Sequence, residues 1–223
     1  MAEALHLRVA IIGAESTGKT TLAAALAPRL AQRTGLRVTW VPEVLREWCD
    51  SVGRTPHVHE QASLLRAQHE RIEAAAADHD LVICDTTALM TAVYSRMVFG
   101  DRSLDERAAT LHRKMSLTLL TAVDLPWIAD GQQRDGPQVR APVDAALREL
   151  LQSHGLPWTL VEGVGPARLQ HAADAAAPLL RQFIELEAGP VTAQSFGAED
   201  RARLRPACGC RGAAACPHTL RRR

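Results

Sequence analysis

Residues 13–20 read Gly13-Ala14-Glu15-Ser16-Thr17-Gly18-Lys19-Thr20, a Gly-x-x-x-x-Gly-Lys-Thr stretch that follows an apolar run at 7–12 and opens an alanine-rich segment with helical spacing. Strand before and helix after turn a short pattern match into a structural expectation. Two glycines let the backbone curl closely, amides at the head of a helix attract negative charge, and Lys19 is long enough to reach terminal phosphates. Thr20 offers a hydroxyl to magnesium. The expected cradle comprises Gly13, Glu15, Ser16, Thr17, Gly18, Lys19, Thr20 and Thr21, and the ligand expected in it is ATP with Mg2+. A plain glycine turn before an alanine-rich helix is the competing explanation.

On either side of the cradle, period-2 or continuous apolar runs at 7–12, 37–41, 81–84, 117–123 and 158–161 predict five strands. Helical spacing over 20–33, 43–50, 58–77, 88–99, 104–114 and 143–153 fills the gaps between them. A last helix is expected over 167–187, with Leu169, Ala173, Ala176, Leu180, Phe183 and Ile184 on one face and Pro178 inside. Alternating strands and helices need crossover connections. The fold class expected is therefore α/β: a three-layer P-loop NTPase/kinase fold with a mostly parallel five-stranded sheet and ligands at the carboxyl edge of the strands.

That geometry directs attention to residues just past each strand. Asp85 closes the third apolar run and precedes Thr86 and Thr87. A carboxylate there can hold magnesium through its water shell, or it can cap the helix that follows. Past the second strand, Pro42-Glu43-Val44-Leu45-Arg46-Glu47-Trp48 brings Glu43 and Arg46 to the same edge. Glu43 could orient or deprotonate a hydroxyl nucleophile and Arg46 could pair with substrate oxygens, the alternative being an exposed surface pair. Past the fourth, the stretch 124–136 and Arg140 suit a lid: Trp127 lines the acceptor pocket, Asp130 contacts substrate, and Arg134 or Arg140 neutralises phosphate charge. A polar loop anchored by a tryptophan is the plainer reading.

No Asn-Lys-x-Asp string is present to read guanine, which argues against a switch GTPase. With 26 basic against 25 acidic residues, no global field favours nucleic acid or an anionic membrane. The first residues carry no signal pattern, and the five cysteines are an odd set unlike a secreted disulfide framework, so a cytoplasmic protein is expected. From 188 the composition turns to Gly, Ala, Pro and Arg, so residues 1–187 are expected as the ATP-binding domain and 188–223 as a tail. Within that tail Cys208, Cys210, Cys216 and His218 have the number and type of ligands for zinc, though Cys-x-Cys is tighter than usual. A basic tail with free thiols is the other reading.

Three blocks, the 13–20 cradle, Pro-Glu-Val-Leu-Arg-Glu-Trp and Asp85-Thr86-Thr87, together with Asp-Leu-Pro-Trp-Ile-Ala-Asp-Gly, resemble the nicotinamide riboside kinase domain of bacterial NAD-biosynthesis regulators, the NadR-type P-loop kinases. The likeness runs from about Leu7 to Leu186. It implies transfer of the ATP γ-phosphate to the 5′-hydroxyl of nicotinamide riboside or a similar nucleoside. It also implies Lys19 and Thr20 at the ATP and magnesium positions, Asp85 as the acidic strand end, Glu43 with Arg46 on the acceptor side, and Arg134 as the lid arginine. The expectation is a stand-alone form without the helix-turn-helix and adenylyltransferase segments of longer members. An ATP-binding or slowly hydrolysing regulatory module, using its tail as a contact surface, is the alternative function; the oligomeric state is open.

Overall fold

The computed structural model of the chain describes residues 6–128 and 136–187. Five strands, β1 (Leu7–Ile12), β2 (Val38–Val41), β3 (Leu81–Asp85), β4 (Leu117–Thr121) and β5 (Thr159–Val161), lie in the order β2-β3-β1-β4-β5. Every pairing is parallel. Because a parallel neighbour cannot be reached by a hairpin, each connection crosses back through a helix. The helices are α1 (Lys19–Thr34), α2 (Val44–Val52), α3 (Val58–Asp78), α4 (Ala88–Phe99), α5 (Asp105–His112), α6 (Arg140–Ser153) and α7 (Pro166–Glu187).

The central strands are buried on both faces. β3 is buried at every residue and β1 at all but Arg8, the pattern of a sheet covered above and below. Leu26, Leu30 and Ile72 from flanking helices and Ile11, Ile12, Ile83, Leu119 and Leu120 from the strands are almost wholly removed from water. Burying each contributes roughly 2 kcal/mol relative to exposure. This is the three-layer α/β arrangement expected from the sequence.

The chain divides into two compact units after Gln182; of the second, only the end of α7 is described. In the first unit, Ala172, Ala173, Ala176 and Leu180 of α7 are buried, and Pro178 lies inside the helix as expected.

Differences from expectation lie at element ends. β4 stops at Thr121, two residues short of 123. A 3-10 turn, Pro137–Val139, leads directly into α6, which starts at Arg140 instead of 143. Pro142 suggests a later start, yet proline costs nothing in the first turn, where its missing N–H would have had no partner. Arg140 thus sits on a helix and not in a loop. Similarly, α2 begins at Val44, leaving Glu43 as its N-cap residue.

Candidate functional site

β1 ends at Ile12, and the backbone turns at once. Gly13 has φ +152°, and a Cβ there would run into the Thr121 hydroxyl at the end of β4, so glycine is required on two counts. Beneath the loop, Thr17 and Thr121 hydroxyls meet at 2.7 Å, with Thr17 Oγ1 2.8 Å from Ala14 O and Thr121 Oγ1 3.1 Å from Ile12 O. The two hydroxyl protons are shared among these three close contacts, two of which they can satisfy at a time, and the cluster links the loop to β1 and β4. Gly18 (φ +74°) is the N-cap of α1. Lys19 is buried, and its ammonium donates to Ala14 O at 2.8 Å, folded across the loop. Glu15 and Ser16 are half-buried, Thr20 likewise, and Thr21 is exposed one residue further along α1.

Asp85 is 1% exposed and its Oδ1 finds no hydrogen-bond partner among the described residues. Burial pushes its carboxyl above the usual range, opposed by a hydrogen bond from Thr20 and by the charges of Lys19 and Arg46. A single carboxylate thus accepts from the cradle through Thr20 and is within electrostatic reach of Lys19 and of Arg46 on α2. Asp85 does not cap the following helix; Thr87 is the N-cap of α4, its hydroxyl accepting from Leu89 N. Between them Thr86 takes a left-handed backbone, φ +69°, with its N–H on Ile11 O at 3.0 Å. A β-branched residue is strained there, by about 1–3 kcal/mol.

The Thr87 hydroxyl continues to His112 Nδ1 at 3.0 Å, and His112 Nε2 to Thr118 Oγ1 at 2.8 Å. His112 thus bridges two hydroxyls, and a neutral imidazole, with one ring nitrogen donating and the other accepting, meets both. Burial lowers the His112 pKa to about 4 in agreement.

On the other side, Glu43 and Arg46 approach to 3.9 Å, and the Glu43 side chain is only 12% exposed. Glu43 is thus largely withdrawn from water, whereas the Arg46 side chain, at 41%, is exposed. Glu47 instead points to α3, meeting Arg71 at 2.6 Å. Gln68, buried in α3, accepts from Val44 N at 2.8 Å and donates to Pro42 O at 3.4 Å, satisfying an orphan amide of the α2 N-terminus and fixing the element that carries Glu43.

The stretch after β4 lies on the cradle. Ser16 Oγ donates to Ile128 O at 3.0 Å and accepts from Ile128 N at 2.8 Å. Trp127 is half-buried, and Arg140, 7% exposed, donates to Leu125 O at 2.9 Å. Its Nε and Nη2 have no partner among the described residues. Asp130 and Arg134 lie outside the described residues, as do Cys208, Cys210, Cys216 and His218.

The family model for an AAA domain matches residues 8–168. This chain belongs to that AAA-domain family. No curated protein sequence matches. Among solved structures, NadR in complex with NR is similar at 21% identity and a TM-score of 0.62, over 78% of this chain and 50% of that one. NadR in complex with NAD and AMP-PNP is similar at 21% identity and TM-score 0.61, over 79% and 50%. Thymidylate kinase from Ehrlichia chaffeensis matches at 15% identity and TM-score 0.54, over 78% and 98%. The chain spans about half the length of the NadR chains it resembles. Its fold is the P-loop kinase-like fold of these proteins.

Three residues of this AAA domain escaped the sequence reading. Thr121 ends an apolar run, and only its contact with Gly13 and Thr17 gives it meaning. Gln68 looks like any polar residue on a helix. Arg168, 4% exposed at the start of α7, donates to Asp124, Gly163 O, Thr17 O and Ala122 O. The Gly163-Val164-Gly165-Pro166 turn before it was the one available hint. No helix among the described residues is long and apolar enough to cross a membrane.

Proposed function

We propose that this AAA domain is an ATP-dependent small-molecule kinase that transfers the γ-phosphate to the 5′-hydroxyl of nicotinamide riboside or a similar nucleoside. The observation that carries this reading is Asp85, a buried carboxylate with one oxygen lacking a partner among the described residues, which accepts a hydrogen bond from Thr20 and feels the charges of both Lys19 and Arg46. A hydrolase needs only Thr20 and Lys19; an acceptor element within electrostatic reach of the same carboxylate suits group transfer. The resemblance to NadR supports the choice of acceptor, since those structures carry NR and, separately, NAD with AMP-PNP.

In this reading the amides of 13–20 surround the phosphates, and Lys19 leaves Ala14 O to meet the β and γ oxygens. Glu43 takes the proton of the acceptor hydroxyl as its oxygen bonds to the γ phosphorus and the bond to the bridging oxygen of ADP breaks. Arg46 and Trp127 hold the acceptor, with Asp130 and Arg134 assigned to substrate contact and charge neutralisation. The Thr20 hydroxyl and the orphaned Asp85 Oδ1 are oxygen donors of the kind magnesium takes, directly or through its waters. Magnesium, when bound, supplies charge that offsets the phosphate oxygens.

The test is Mg-ATP with a panel of ribosides, nicotinamide riboside first, following ADP and phosphorylated product. Tight ATP binding without riboside-dependent turnover removes the kinase reading in favour of an ATP-binding module. Undiminished turnover in Glu43→Gln removes Glu43 from the mechanism. For residues 188–223, which we propose as a tail, metal analysis before and after removal of residues beyond Pro206 decides whether Cys208, Cys210, Cys216 and His218 hold zinc.

A further inference from the structure

Arg168 is a buried cation whose bonds converge on three loops at the carboxyl edge of the sheet. Its Nη1 donates to Asp124 Oδ1 and to Gly163 O, both at 2.8 Å. Its Nη2 donates to Thr17 O at 3.0 Å and Ala122 O at 3.1 Å. Asp124 also accepts from Gly163 N at 2.7 Å. One guanidinium and its carboxylate thereby join the phosphate loop, the end of β4 and the β5–α7 turn. The planar fork of arginine can serve several acceptors at once, which a lysine ammonium on a flexible stem cannot do in the same geometry.

The bond to Thr17 O has a directional consequence. In a trans peptide the carbonyl and the following N–H point opposite ways. Turning the Thr17 carbonyl towards Arg168 turns the Gly18 N–H away from it. Without that anchor the Thr17–Gly18 peptide could rotate, since Gly18 tolerates either sign of φ. Among the described residues, the other hydrogen bonds of Thr17 are made by its side chain, with Ala14 O and Thr121, and a side-chain bond does not set the direction of this peptide.

We infer that Arg168, paired with Asp124, is a positioning residue that keeps the Gly18 amide aimed at a terminal phosphate of the bound nucleotide. This rests on the reading of 13–20 as a nucleotide cradle. Arg168 touches no substrate in this role; it acts through the backbone of Thr17 and Gly18.

Calorimetric titration of the full chain with Mg-ADP and with AMP tests the role, using Arg168→Lys and Asp124→Asn. Losing a charge-assisted hydrogen bond typically corresponds to about a tenfold change. Arg168→Lys should therefore weaken Mg-ADP about tenfold and AMP, which lacks the outer phosphate, by less than about threefold. Asp124→Asn, which keeps the carbonyl bonds, should follow the same order with a smaller change, and carries the test if Arg168→Lys does not fold. Variants that fold and bind Mg-ADP as wild type does overturn the role of Arg168 alone. Equal weakening of both ligands overturns it too, since general loosening has no preference for the outer phosphate. Wild-type protein that takes up no Mg-ADP overturns the nucleotide reading together with this one.

Discussion

Ser16 in the phosphate loop and Ile128 after β4 exchange two hydrogen bonds, the serine hydroxyl donating to the Ile128 carbonyl and accepting from its amide. A side chain here does what a neighbouring strand would do. It pins the start of the Trp127 to Arg140 stretch onto the cradle, at a residue whose own φ of +55° is left-handed.

Ser16→Ala removes both bonds and leaves the loop backbone otherwise intact. Each exposed bond is worth about 0.5–1.5 kcal/mol at most, so stability should change little. The expected effect is a rise of roughly threefold to tenfold in the KM for ATP, with the riboside KM unaltered. Steady-state kinetics varying each substrate in turn would check this; an unchanged ATP KM would show that the docking is incidental.

Asp85→Asn separates stability from activity. The native carboxylate is buried with one oxygen lacking a partner among the described residues, and burial disfavours its charged form. Its neutral amide replacement should leave the nucleotide-free protein as stable or more so by thermal melting. Magnesium-dependent turnover should fall by about 10²-fold or more. Loss of stability in the variant would mean that the bond from Thr20 outweighs the cost of burial.

Gly13→Ala should be poorly tolerated. The new methyl meets the Thr121 hydroxyl, and the backbone at φ +152° is one that L side chains rarely adopt. A cost of about 2 kcal/mol or more is expected, or a Tm lower by roughly 5 °C or more in a chain of this size. Thr121→Ala in the same background removes the contact with the hydroxyl but leaves the tight approaches to the residue 121 backbone oxygen at 3.0 Å and Cβ at 3.3 Å and the backbone strain, so melting should recover only in part.

His112 introduces a pH dependence. Its folded pKa lies near 4 against an ordinary 6.5, so between these values the unfolded chain binds the proton and the folded one does not. Stability is therefore full above pH 6.5 and declines on acidification towards pH 4, by about 3 kcal/mol at the upper limit. Urea midpoints at pH 7 and pH 5 should differ in wild type and converge in His112→Gln. Parallel acid limbs in the two proteins would assign the effect to other groups.

The set of elements and the parts suited to phosphate were already legible in the sequence. Apolar runs of strand length alternating with helical spacing specify a parallel sheet, and a Gly-x-x-x-x-Gly-Lys-Thr stretch after its first strand specifies where an anion goes, because both follow from local periodicity and backbone chemistry. Asp85, Glu43 and Arg46 were legible for the same reason: each lies within five residues of a strand end. The start of α6 was not, because Pro142 is ambiguous until the turn before it is known.

What holds those parts in place emerged from tertiary packing alone. Thr121 is 108 residues from Gly13, Gln68 is 24 from Val44, and Arg168 is 151 from Thr17. Such contacts leave no periodicity in the chain; they arise when parallel strands bring distant loops to one edge. A buried hydroxyl, amide or guanidinium there is selected by the carbonyls and amides left unpaired around it, and those become visible once the sheet has assembled.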